Sequence, residues 1–140
     1  MKHHTRPSGM PPANGYSHTV ATTGPLIFVS GQLPLDSDGN LVGQNDARKQ
    51  IDQVFSNLAA ALEAAGSHMD RVVKLTVFLT DLSDLAAFRE VRDTYLRLDA
   101  PPSSSLVQVS ALVHPEARVE IEAIAEASPE PQILDPHQLR

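Results

Sequence analysis

With 140 residues, a formal charge of −6 and a pI near 5.4, the chain has the length of one domain. It lacks the clustered basic surface that sequence-independent nucleic-acid binding needs. It has no cysteine, which excludes disulfides, thiolate nucleophiles and cysteine metal sites. No run of about 18 apolar residues offers a membrane helix, and the opening MKHHTRPSGMPPANG lacks the apolar stretch of a signal peptide, so a cytoplasmic location is expected.

In chain order, residues 1–13 are rich in Pro, Gly and His and read as an extended arm. His3 and His4 have no carboxylate partners nearby and read as solvated, so no metal site is expected. SHTVAT and LIFVSG are β-prone runs on either side of Thr23, Gly24 and Pro25, which reads as a hairpin. Asp38-Gly39-Asn40 is turn chemistry. From Gln44 to Ala65 the apolar residues Ile51, Val54, Phe55, Leu58 and Leu62 fall at helical spacing, with Gly66 as the stop. Arg71 to Leu79 alternates, Val73, Leu75, Val77 and Leu79 on one face and Lys74, Thr76 and Phe78 on the other. Asp84 to Leu98 returns to helical spacing and ends at Pro101-Pro102. Ser104 to Leu112 and Arg118 to Ala125 read as two further strands. The proline-bearing segment 127–140 reads as a tail beyond a single domain over residues 14–126.

The order β-β-α-β-α-β-β, with one apolar side on each helix, predicts an α+β sandwich of two layers: a mixed sheet with two helices on one face. On the last strand Val119, Ile121 and Ala123 share the helix-facing side, which turns Glu120 and Glu122 toward the uncovered face. An open face of that kind is commonly covered by another copy, so a homo-oligomer with clefts at its seams is expected.

Four features are candidates for chemistry. Glu120, partly desolvated at a seam, suits proton transfer or water activation, and its plainer reading is a solvated glutamate or a partner of Arg118. Tyr16 follows a flexible glycine and suits closure over a ligand; otherwise it packs with a wet tip. Ser30-Gly31-Gln32 places a glycine where backbone N–H groups can approach an oxyanion, and otherwise reads as a bulge. Ser30 has no Gly-x-Ser-x-Gly frame and does not read as a nucleophile. Arg89 and Arg92 read as one helical face turned away from Phe88, Val91 and Tyr95, either solvated or paired as a carboxylate clamp.

Taken in order, NGYSHTV, LIFVSGQLPLDSDG, the helix with Gln50 and Asn57-Leu58, EAAG, VVKLTVFLTDLSD, PPSSSLV and VEIEAIA resemble the RidA/YjgF family, formerly called L-PSP endoribonucleases. The resemblance covers roughly residues 14–126. It implies a chorismate-mutase-like α+β fold assembled as a homotrimer, with a small-molecule cleft between subunits and no metal or organic cofactor. It also implies hydrolysis of reactive enamines and imines to a carbonyl product and ammonia. Carried across, Tyr16 matches the tyrosine that closes the cleft, Ser30 and Gly31 the cleft segment, and Glu120 the acid that positions or activates water. The sequence departs at Pro102-Ser103-Ser104-Ser105, where enamine-active members have Pro-Ala-Arg-Ser, so Ser104 stands where an arginine would clamp a substrate carboxylate. Losing that clamp costs about 2 to 5 kcal/mol. Either Arg89 or Arg92 restores the charge, or the ligand has no carboxylate and Ser104 meets a neutral group. A ligand-binding or regulatory trimer without turnover is the competing reading. Ribonuclease activity is disfavoured by the acidic balance, and no nucleic-acid or membrane partner is expected.

Overall fold

In the computed structural model, which describes residues 1–129, the apolar stripe of the first long helix sets the core. This helix, α1 (Ala47–Ala64), buries Ile51, Val54, Phe55, Leu58 and Leu62 along one side. Asp46 caps its start by accepting from the Lys49 amide at 3.1 Å. Its end is a Schellman turn: the Ser67 amide donates to Leu62 O, the Gly66 amide donates to Glu63 O, and Gly66 has φ +80°. The second helix, α2 (Leu85–Tyr95), adds Phe88 and Val91, and Phe55 stacks against Phe88 and Tyr95 with centroids 6.1 and 5.1 Å away.

Both helices lie on one face of a four-stranded mixed sheet. Its strands are β3 (Leu26–Gln32), β4 (Val72–Leu79), β5 (Ser103–Gln108) and β6 (Val119–Glu126), in spatial order β3-β6-β4-β5. β4 and β5 run parallel across α2, and the other pairings are antiparallel. The strand alternation holds residue for residue. Leu75, Val77, Leu79, Val119, Ile121 and Ala125 are fully buried under the helices. The opposite face carries Lys74, Thr76, Phe78, Glu120, Glu122, Ile124 and Phe28, the last 72% exposed.

The amino-terminal half departs from the sequence reading in two places. Lys2–His4 is a strand, β1, rather than an arm without elements; it pairs antiparallel with β2 (Thr19–Ala21) in a separate two-stranded ribbon. The hairpin expected between SHTVAT and LIFVSG is absent, because β3 pairs with β6 instead. The cause lies in the connector. The Thr22 hydroxyl and Thr23 amide both donate to the Glu126 carboxylate, and the Ala127 amide donates to Pro25 O, so the link caps the end of β6 instead of turning back on β2. The strand read as Ser104–Leu112 stops at Gln108. The segment read as a tail lies, from residue 130 on, outside the described residues.

Candidate active site

The site is built by a defect in the sheet. Val29 pairs with Ala123 and Gln32 with Ile121, so β3 has one residue too many at Ser30-Gly31, and the strand bulges. The bulge that the sequence allowed as the plain reading of Ser30-Gly31-Gln32 is therefore real, and it serves the carboxylate. A side chain at position 31 would overlap Glu120 Oε1 and stand 2.9 Å from its Cδ and 3.1 Å from its Cγ. Glycine here leaves the space that the Glu120 head group occupies. On the other side Glu120, itself half-buried, is in register with Phe78 across the β4–β6 pair.

The expected alternative partner of Glu120 is engaged elsewhere. Arg118 forks onto Asp84, Nε at 2.9 Å and Nη2 at 3.1 Å, which joins the start of β6 to the 3-10 turn Leu82–Asp84. The Asp84 hydrogen bonds hold the Arg118 guanidinium above its ordinary pKa, against its partial burial. No ion pair among the described residues involves Glu120. Sequence spacing could not decide this, because Asp84 lies 34 residues before Arg118 and only folding brings the two together.

Two concavities flank the bulge. One, of about 260 Å³, lies on the open face among Ser30, Lys74, Thr76 and Glu122. The other, of about 430 Å³, runs beside Gly31 and Gln32 toward Asp36 and Asn57. Glu120 lines neither; it sits at the bulge they share. The wall of the second is held by Asn57, whose Nδ2 donates to Leu33 O at 3.1 Å and Leu35 O at 2.9 Å, with Gln53 donating to Asn57 Oδ1 at 2.8 Å. The sequence reading used Asn57 only as a family mark. Its polarity on a half-buried helix position, four residues from Gln53, was the available signal.

Tyr16 and Ser104 lie at a different edge. The Ser17 amide donates to Pro102 O at 2.9 Å and its hydroxyl to Pro101 O at 2.6 Å, which fixes Tyr16 at the entry to β5. Ser103 Oγ donates to Val73 O and Ser105 Oγ accepts from Lys74 Nζ, so the serines on either side of Ser104 are occupied. Ser104 is in register with Leu75, whereas Glu120 is in register with Phe78. The three-residue offset along β4 is about 10 Å, and its odd number puts Ser104 and Glu120 on opposite faces of the sheet. One copy of the chain thus brings Ser30, Gly31 and Glu120 together, and separately Tyr16 and Ser104.

The arginines also separate. Arg89 is exposed on α2. Arg92 is buried, 7% exposed, and lies 5.7 Å over the Phe88 ring, which corrects the expectation that both point away from that residue. Its guanidinium donates to Asn14 O and Asn14 Oδ1, both at 3.1 Å, and to Asp93 at 2.9 Å. Among the described residues no group of three or more His, Asp or Glu side chains is placed to hold a metal ion. No helix among them is long and apolar enough to cross a membrane.

A mixed four-stranded sheet with two helices on one face and a bulged edge strand beside a carboxylate is the YjgF-like class of α+β protein. Residues 7–127 match the family model described as Endoribonuclease L-PSP. The chain is 44% identical over 111 residues to Protein DfrA of Myxococcus xanthus, an overlap covering 79% of this chain and 83% of that protein. Among solved structures it is similar to YyfB of the Rid protein family from Yersinia pestis, with 32% identity, a TM-score of 0.81, and 88% and 96% of the two chains covered. It is also similar to RidA from the Antarctic bacterium Psychrobacter sp., with 40% identity, a TM-score of 0.67, and 83% and 92% covered. The chain belongs to the RidA/YjgF (L-PSP) family.

Proposed function

We propose that the protein is a hydrolytic deaminase of small reactive imines and enamines that works without a cofactor, in clefts between the copies of a cytoplasmic homotrimer. The observation that carries this reading is the Glu120 carboxylate, seated over Gly31 and free of the cation that would neutralise it. Such a group can accept a proton from water while the water oxygen adds to an imine carbon. Passing that proton to nitrogen gives a carbinolamine; the carboxylate then takes the hydroxyl proton and delivers it to nitrogen, C=O forms as the C–N bond breaks, and a carbonyl compound and ammonia leave. An enamine enters the same sequence after protonation at carbon gives its imine.

The split between Glu120 with Gly31 and Tyr16 with Ser104 supports a cleft shared by two copies. In it Glu120 activates water, Gly31 and Ser30 line the reacting end, Tyr16 closes over the ligand, and Ser104 offers one neutral hydrogen bond. Arg92 is committed to Asn14, which removes one of the two means of restoring the missing cation. This favours a substrate shifted away from the family's 2-imino acids, with Arg89 the remaining route to carboxylate binding. The same serine supports the second reading, a small-molecule-binding trimer that has lost turnover.

The test is the decay of freshly generated 2-iminopropionate and of a neutral aliphatic imine, with wild type and Glu120→Ala. Acceleration lost in Glu120→Ala supports the deaminase; no acceleration of either compound moves the protein to the binding reading. Co-refolding equal amounts of Glu120→Ala and Tyr16→Ala should restore about a quarter of the wild-type clefts if each cleft takes the two residues from neighbouring copies. Recovery of nothing places both residues in one copy's site and removes the shared cleft.

A further inference from the structure

We propose that Arg92 is a positioning residue for Tyr16, acting as a latch from α2 onto the loop that presents the phenol. The inference rests on the reading of Tyr16 as a cleft residue but concerns a different side chain. Arg92 presents only 8% of its side chain to solvent, and a buried guanidinium is retained where its donors are matched. Its partners explain its presence. Two of its nitrogens grip the carbonyl and side-chain oxygen of Asn14, and its third partner is its own neighbour Asp93. The plane of the guanidinium also presses on Gly15, whose φ of +70° and missing side chain admit it; a Cβ there would lie 2.9 Å from Nη1 and overlap Nη2.

Asn14 and Gly15 contribute nothing to the apolar core. What they do is lead into Tyr16, and Ser17, 1% exposed, is tied to Pro101 and Pro102 on the far side. Tyr16 is thus held from both ends, by Arg92 through Asn14-Gly15 and by Pro101-Pro102, just before β5, through Ser17. Its ring rests edge-on against His18 at 5.5 Å. A lysine at position 92 carries its donors on a single nitrogen and cannot reproduce a planar fork that serves three partners from three nitrogens. A methionine keeps the packing on Phe88 and has no donor at all.

The chain has two tyrosines, so the protein grown with 3-fluorotyrosine gives two ¹⁹F resonances, and Tyr16→Phe assigns them. Tyr95 stacks on Phe55 and donates to Asp52, three residues from Arg92 on the same helix, and so reports the integrity of α2. In Arg92→Met the Tyr16 resonance should move most of the way to its position in the denatured protein while the Tyr95 resonance stays. Asn14→Ala, a loop change outside the core, should move the Tyr16 resonance in the same direction by less. For imine hydrolysis Arg92→Met should raise KM about 10-fold with kcat within 2-fold, since the reacting carboxylate is untouched. An unmoved Tyr16 resonance in both variants overturns the proposal, and so does a Tyr95 shift as large as that of Tyr16. If Tyr16 moves as expected but wild type hydrolyses no imine, the latch stands and the deaminase reading fails.

Discussion

Replacing Gly31 by alanine separates the placement of Glu120 from its presence. The new Cβ would stand 2.9 Å from the carboxyl carbon and would overlap Oε1, so the side chain must leave its present rotamer. The obstruction is the end of a half-exposed side chain, not backbone, and Gly31 has no positive φ to make alanine strained. Reduced freedom of the unfolded chain even favours alanine, so stability should change by less than about 1 kcal/mol. The proposed reaction would have no such tolerance: a misplacement of about 1 Å costs on the order of 100-fold, or about 2.7 kcal/mol of transition-state stabilisation. Imine decay would be followed for wild type, Gly31→Ala, Glu120→Ala and the double variant, with thermal unfolding as the control. Gly31→Ala should lose about 100-fold in kcat/KM, and the double variant should match Glu120→Ala, because the alanine then has nothing to displace. Additive losses would refute the reasoning, since they would mean that Gly31 acts independently of the carboxylate. A large fall in Tm would refute it as well.

Gln50→Leu should destabilise the fold by about 3 kcal/mol in urea unfolding, by stranding the Arg118 amide and Glu116 carbonyl that this fully buried amide satisfies; Gly43 O keeps the Asp46 amide. The Thr22 hydroxyl, with the Gly24 and Thr23 amides, holds the Glu126 carboxyl below the ordinary range despite opposition from burial. That contribution is complete above the usual carboxylate pKa of about 4.3 and is lost as pH falls through the lower folded value, so urea midpoints between pH 7 and pH 3 should fall less in Glu126→Gln than in wild type. Burial first, and then the bond to Asp52, pushes the Tyr95 phenol up to about 12. With Tyr16→Phe leaving Tyr95 as the sole tyrosine, absorbance at the phenolate band should titrate near that value, and Asp52→Asn should lower the midpoint.

The layers were legible because burial follows periodicity. The helical stripe of α1 and the alternation of β4 and β6 name their own core residues, and Gly66 names its own stop. Pairing was less legible. SHTVAT and LIFVSG carry every local sign of a hairpin, yet a carboxylate more than 100 residues later, on Glu126, captures the connector and sends β3 to β6. The geometry of the candidate site was legible in part. Gly31 and Glu120 were each singled out, but nothing local says that one is a space for the other. That follows only from a bulge whose partner strand lies some 90 residues away in sequence.

Arg92 shows most clearly where pattern reading ends. Helical spacing placed it with Arg89, as a pair of charges facing outward. Folding separates them because the loop before Tyr16 needs donors and the exposed surface around Arg89 does not. The same charge therefore cannot be counted twice: a guanidinium bound to Asn14 fixes the loop and is unavailable to a ligand's carboxylate. With Arg118 held by Asp84 as well, Arg92 and Arg118 are both spent on architecture. Glu120 has no ion-pair partner among the described residues, and Ser104 brings no charge. In the cleft proposed between these two half-sites Glu120 and Ser104 would present one acidic group and one neutral donor, while Lys74 and Glu122 of the adjoining concavity offset each other, a setting that would admit a neutral or protonated imine more readily than a carboxylate.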